Sequence, residues 1–239
     1  MPKVLIIIPA YNEAESLGHV LAAVKASVPQ ASIAVIDDGS QDNTGAIAES
    51  SGCIALRLPY NIGIGSAEQV GFRYAVRFGY DIVVRNDGDG QHNPAEIPLL
   101  LERLQTMDAD MVIGSRYLED RGYITPRLRR AGITILSSVI SLISRTRITD
   151  ATSGFRAFNQ RAIALCTGFY PQDYPEPESI VLFWRAGLRV REIPVSMNPR
   201  YGGKSSIRNI DSAVYMAKVL LAIFIDLFRE PPNLAPTNP

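Results

Sequence analysis

What most restricts the fold of this chain is an alternation in its first 115 residues. Five short apolar runs, at 4–8, 32–36, 55–58, 81–85 and 111–114, read as strands. Between them, 13–26 places Leu17, Val20, Leu21 and Val24 on one helical face, and 42–51, 66–78 and 95–107 have the same spacing. Asn12 is the expected cap of the first helix and Ser40 of the second. Parallel neighbours need crossovers long enough to hold a helix, so this rhythm predicts a mostly parallel α/β sheet with helices on both faces. Ligands of such sheets bind beyond the carboxyl ends of the strands. The polar clusters fall there: PAYNE from Pro9, DDGS from Asp37, the loop around Asn61, and DGDGQH from Asp87.

The second half reads differently. Residues 129–144 predict a helix with an apolar face of Ile133, Leu136, Ile140 and Ile143; 152–158 is mixed; 178–186 is helical; 189–195 is a strand. A Gly/Ser/basic loop at 200–206 precedes a last helix at 210–228, and the tail REPPNLAPTNP, with four prolines, is expected to be loosely ordered. No linker or internal repeat interrupts the chain, so a single domain is expected.

Composition removes several classes of function. With 46% apolar residues and 24 acidic against 24 basic side chains, the chain is neither a disordered sequence nor a basic nucleic-acid binder. Cys53 and Cys166 lack metal-ligand spacing, which leaves no zinc finger or disulfide scaffold and makes a reducing compartment the default. The apolar run at 4–8 is too short for a signal peptide, and the run at 219–225 falls far short of the ~20 residues of a spanning helix. The expectation is a cytoplasmic protein without a transmembrane segment, at most peripheral at the inner face of a membrane.

The chemistry concentrates after the fourth strand. Asp87, Asp89 and Gln91 offer oxygen donors at two-residue spacing, with glycines that let both carboxylates turn toward one point. Mg²⁺ and Mn²⁺ want such ligands and keep positions open for phosphate oxygens. The competing reading is a solvated Asp/Gly turn; Gln91 and His92 at the end of an apolar strand favour the site, and His92 is left without a role. Asp37 and Asp38 are adjacent acids whose repulsion asks for a compensating use, against the plainer reading of a helix-entry turn. The loop Asn61-Ile62-Gly63-Ile64-Gly65 is no dinucleotide fingerprint, because Glu68 stands where the third glycine belongs and the loop follows the third strand. There is no P-loop motif.

Seven motifs in order over residues 3–206 carry a resemblance: PAYNE, DDGSQDNT, NIGIGSAEQVG, DGDGQH, GSRY, DATSGFR and RYGGKSS. Together they resemble the family 2 glycosyltransferases of GT-A fold, in the dolichol-phosphate-mannose-synthase-like branch. The resemblance implies a Rossmann-like donor half over 1–115, an acceptor half over 116–230 of the same domain, and a tail over 231–239. It implies that Pro9, Tyr11, Glu13, Ile36, Asp38 and Asp87 hold a nucleoside-diphosphate sugar. Asp87, Asp89 and Gln91 would hold Mg²⁺ or Mn²⁺ on its diphosphate. Asp89, Arg116 and Asp150 take the catalytic roles; Ser153 and Arg156 flank the acceptor, and Arg200 and Lys204 form a basic lid. No Q-x-x-R-W element of the processive members is present, which implies one transfer per acceptor.

An inverting displacement at the anomeric carbon follows from this chemistry. Arg127, Arg129 and Arg130, just before the Ile133 face, suit a polyprenyl phosphate, an acceptor of cell-envelope glycan assembly. The alternative is a saccharide or other hydroxyl acceptor, for which Asp150 is the candidate general base; with a phosphate acceptor Asp150 is instead expected as a structural or orienting residue paired with Arg156. A nucleotidyltransferase is strongly disfavoured because PAYNEAES has neither the glycine nor the basic residue of its first loop. A nucleotide-sugar-binding subunit without catalysis is disfavoured by the intact Asp87/Asp89 pair.

Overall fold

The structure, a computed structural model, describes residues 1–198 and 211–230, with side chains of the last segment from 214. Strands β1 (Val4–Ala10), β2 (Ser32–Asp37), β3 (Ile54–Arg57), β4 (Ile82–Arg85) and β5 (Met111–Ser115) alternate with helices α1 (Ala14–Ser27), α2 (Thr44–Ser50), α3 (Ile64–Arg77) and α4 (Ile97–Thr106), the last entered through a 3₁₀ turn at Pro94–Glu96. Then come α5 (Arg127–Ser144), β6 (Arg156–Asn159), α6 (Gln160–Phe169), α7 (Pro175–Arg185), β7 (Val190–Pro194) and α8 (Asp211–Phe228). The basic loop at 200–206, with Arg200 and Lys204, and the tail at 231–239 lie outside the described residues.

The seven strands form one sheet in the order β3-β2-β1-β4-β6-β5-β7. All described pairings are parallel except those of β6, which runs antiparallel between β4 and β5. Every residue of β1 is buried. Its side chains alternate, Leu5 and Ile7 into the apolar layer under α3, α6 and α7, Val4, Ile6 and Ile8 into the layer under α1 and α4. A strand covered on both faces must be apolar on both, which is why β1 reads as a continuous run rather than an alternation.

The helix starts differ from those expected. Asn12 does not cap α1: it takes a left-handed φ of 55° and its Oδ1 accepts the Gln41 N–H, while Asp42 Oδ2 accepts the Ala14 N–H and Thr44 Oγ1 the Glu13 N–H. Ser40 caps no helix; its Oγ accepts the Asn12 N–H, and α2 starts only at Thr44. The loop after β2 thus supplies the partners that α1 lacks, and the two loops are held together at the carboxyl edge of the sheet. The segment at 152–158 resolves into a loop and the short β6. Helix α6 had no counterpart in the sequence reading.

Candidate active site

Four loops beyond β1, β2, β3 and β4 close around a cleft of about 280 Å³ lined by Pro9, Ala10, Tyr11, Glu13, Asp38, Asn61, Gly63, Ile64, Ala67, Asp87, Gly88 and Asp89. A larger hollow of about 530 Å³ lies between the end of α6, α7 and α8, away from these strand ends. The smaller one carries the convergent polar groups, at the position where parallel sheets bind ligands. Of the residues expected at the donor, Pro9, Tyr11, Glu13, Asp38, Asp87 and Asp89 line it together. Ile36 does not: it is fully buried in the layer between β2 and α3.

The adjacent acids part company. Asp38 Oδ1 and Oδ2 accept the N–H groups of Ile62 and Gly63 at 2.8 and 3.0 Å, fixing the third loop against the cleft. Asp37 turns away, accepting the Ser40 N–H and standing 3.6 Å from Arg57 Nε. Their repulsion is relieved by separate donors. Gly39, at φ 71°, is squeezed so closely that a Cβ would lie 2.4 Å from the Tyr60 carbonyl carbon, so no other residue lets these loops meet.

Asp89 Oδ1 accepts the Gln91 N–H, and the Gln91 carbonyl accepts the Asn198 N–H. Gln91 is not among the residues that line the cleft. His92, left without a role by the sequence, organises this loop. Burial lowers its pKa and keeps it neutral. Its Nδ1 accepts the Asp87 N–H at 2.9 Å, which puts the proton on Nε2, 3.4 Å from Asp87 Oδ2. The ring stacks on Phe155 with centroids 4.9 Å apart. Among the described residues no three acidic, His or Cys groups gather as a cage for a cation. Two hard carboxylates on one cleft wall instead fit a divalent ion that takes its other ligands from phosphate and water.

Beneath Asp87 lies a residue that the motif reading missed. Arg85 is 1% exposed, and its guanidinium meets three carboxylates: Asp87 Oδ1 from Nε and Nη2 at 3.2 and 3.1 Å, and Glu68 Oε1 and Glu176 Oε1 from Nη1 at 3.0 and 2.8 Å. Tyr170 donates its hydroxyl to Glu68 Oε2 at 2.6 Å. The sequence hint was an arginine closing an apolar strand; its partners come from α3 and α7 and could not be read.

Burial pushes the Glu68 carboxyl from its ordinary value near 4.5 up to about 7. The native state then binds more protons than the unfolded chain across that window. Stability falls as pH rises through it, and the loss is complete above about 7. Glu68→Gln removes this titration. The melting temperature of the variant relative to the unsubstituted protein therefore climbs between pH 4.5 and 7. Circular-dichroism melts with a constant difference across that range would contradict the assignment.

Because β6 runs antiparallel, its entry loop at 150–155 sits at the carboxyl ends of β4 and β5, beside Arg116. Asp150 is fully buried and chelates Arg116: Oδ2 accepts Nε at 2.6 Å and the Arg116 N–H at 3.1 Å, while Oδ1 accepts Nη2 at 2.7 Å and the Thr152 hydroxyl at 3.2 Å. Four donors occupy its acceptor positions, an arrangement that fits a structural or orienting residue better than a general base, with Arg116 rather than Arg156 as the partner. Arg156 is also turned inward, donating to the Ser153 and Glu176 carbonyls and to Ser179 Oγ, and buried Ser153 donates to the Gly114 carbonyl. Both side chains are bonded within the fold. Arg130 is half-buried: its guanidinium lies 3.6 Å over the Tyr117 ring, with a buried Nη1 that has no hydrogen-bond partner. Together with Arg116, Tyr117, Glu119, Asp120, Tyr123 and Thr125 it lines a hollow of about 320 Å³, with two cations and two carboxylates around one space. Arg127 is exposed on the first turn of α5.

Comparison with known proteins agrees with this geometry. Residues 5–165 match the family model described as Glycosyl transferase family 2. The undecaprenyl-phosphate mannosyltransferase of Micrococcus luteus is 34% identical over 215 residues, covering 86% of this chain and 87% of its own. The polyprenol monophosphomannose synthase of Mycolicibacterium smegmatis is 34% identical over 231 residues, with 89% and 84% covered. Among solved structures, glucosyl-3-phosphoglycerate synthase from Mycobacterium tuberculosis, crystallised with Mn²⁺, uridine diphosphate and glucosyl-3-phosphoglycerate, superposes with a TM-score of 0.67 at 20% identity. That superposition covers 94% of this chain and 79% of the synthase.

Proposed function

The chain belongs to glycosyl transferase family 2, with the GT-A fold, and from that premise we propose that this glycosyltransferase moves a sugar from a nucleoside diphosphate to a polyprenyl phosphate with inversion. A phosphate oxygen of the acceptor bonds to the anomeric carbon from the face opposite the diphosphate. The bond from that carbon to the diphosphate oxygen breaks, and the nucleoside diphosphate leaves. Residues 1–115 form the donor half and 116–230 the acceptor half. Pro9, Tyr11, Glu13 and Asp38 line the nucleoside end of the cleft. Asp87 and Asp89 would hold Mg²⁺ or Mn²⁺, which when bound neutralises charge growing on the diphosphate.

One observation carries the choice of acceptor. A hydroxyl acceptor needs a base, and the carboxylate proposed for that task, Asp150, is closed by four donors. A phosphate monoester has a second pKa of about 6 and is already anionic near neutral pH. It needs cations, and Arg116 and Arg130 meet in one hollow, whose rim also carries Glu119 and Asp120. The names of the two relatives, which act on undecaprenyl phosphate and polyprenol, support the same reading.

A surface for the lipid lies alongside. Leu128, Ile135 and Leu142 are exposed at seven-residue intervals on α5, and Val214, Leu221 and Phe228 repeat that spacing on the adjoining α8. Arg127 and Arg129 stand exposed at the start of α5. Apolar side chains beside cations suit peripheral contact with an anionic bilayer. Among the described residues no helix is long and apolar enough to cross one.

The test offers labelled donor with short-chain polyprenyl phosphate and, separately, with saccharides. Transfer to the lipid phosphate is expected. Arg130→Ala should lower it by roughly 10- to 100-fold, since a charge-assisted contact contributes about 1.5–3 kcal/mol. Transfer to saccharides alone, with Arg130→Ala unimpaired, overturns the reading.

A further inference from the structure

One buried charged group near the cleft, Arg85, has no place in the transfer as described. Arg85 ends β4 on the face covered by α3 and α7, and Asp87 follows two residues later in the loop beyond the strand. On that face Arg85 is enclosed. Glu68 rises from α3 and Glu176 from the first turn of α7, both to Nη1. Gly154 closes the space so tightly that a Cβ would lie 2.7 Å from the Arg85 Cζ. With its place fixed from both sides, the guanidinium applies two nitrogens to a single oxygen, Oδ1 of Asp87. His92 Nε2 stands near the other oxygen. Both ends of the Asp87 carboxylate are therefore oriented by buried groups, one charged and one neutral.

We propose that Arg85 is a positioning residue: anchored by Glu176 and Glu68, it sets the rotamer of Asp87 and so the geometry with which the cleft takes up a divalent cation. The proposal rests on the reading of Asp87 and Asp89 as the cation-holding pair. A lysine cannot replace the arginine here. An ammonium is a point charge on a flexible stem, whereas the planar fork reaches three carboxylates from fixed directions. Groups that orient a metal's ligands typically change metal affinity by about 10- to 100-fold when substituted.

The test is a titration of the whole protein with Mn²⁺ alone, read by the electron paramagnetic resonance of the free ion, beside a melting curve for each variant. Arg85→Lys retains the positive charge and should fold, yet take up Mn²⁺ roughly 10- to 100-fold more weakly. Glu176→Gln leaves Asp87 and Arg85 in place and loosens only the anchor; a smaller loss is expected, and none beyond that of Arg85→Lys when the two are combined, because both act through one guanidinium. Arg85→Lys with unchanged Mn²⁺ affinity overturns the proposal. Should Arg85→Lys fail to fold, Glu176→Gln with unchanged affinity overturns it. If the unsubstituted protein takes up no Mn²⁺, the cation reading itself falls and this proposal with it, an outcome visible before any variant is compared.

Discussion

Asp89→Asn should leave the protein folded and lower sugar transfer by about 10³-fold or more. The side chain lines the cleft, is 7% exposed, and holds the turn through Oδ1, which accepts the Gln91 N–H. An asparagine oxygen makes the same hydrogen bond, so the turn survives; only the negative charge goes. A metal stabilises a leaving diphosphate by several kcal/mol, and about 4 kcal/mol corresponds to 10³ in rate. The measurement is kcat/KM over a Mn²⁺ series, with melting temperature as the control. Transfer within tenfold of the unsubstituted rate in the presence of EDTA would remove Asp89 from the chemistry.

The second large effect falls on stability. Asp150→Ala should cost about 3–5 kcal/mol, because it leaves the Arg116 guanidinium, 9% exposed, without its carboxylate. For a chain of this size that lowers the melting temperature by roughly 6–20 °C. Asp150→Asn keeps part of the hydrogen bonding and should lie between the two. Its activity loss should follow the loss of folded protein. A fully stable Asp150→Asn protein with transfer abolished and the pH profile of a lost base would restore the catalytic role that the sequence suggested.

That contrast marks where the sequence stops being legible. Polar clusters at strand ends are local, so Tyr11, Asp38, Asp87 and Asp89 could be placed at the cleft from order alone. The bond between Asp150 and Arg116 joins residues 34 apart, and nothing near DATSGF announces that its carboxylate is already occupied. The same holds for Arg156, a motif residue whose partners are carbonyls inside the fold. Arg85 was passed over because charged residues are seldom fully buried unless paired, and its pairs come from α3 and α7. The strands β1 to β5 were visible as apolar runs. Four-residue β6 was not, since RAFN opens on the buried Arg156 and holds too few positions to display a period.

The place of β6 bears on how the chain is made. In the finished sheet β4 and β5 are not neighbours; each pairs with β6, which is synthesised some 40 residues after β5. At a ribosomal rate of about 5–20 residues per second the nascent chain passes a few seconds with Ile82, Val83 and Val84 as an unfilled apolar edge. A fragment ending at residue 115 would keep that edge for good, so it should aggregate when expressed by itself. The two halves carry different parts of the proposed reaction, yet they are one cooperative unit, and recombining them between relatives as separate cassettes would fail at the step of sheet completion.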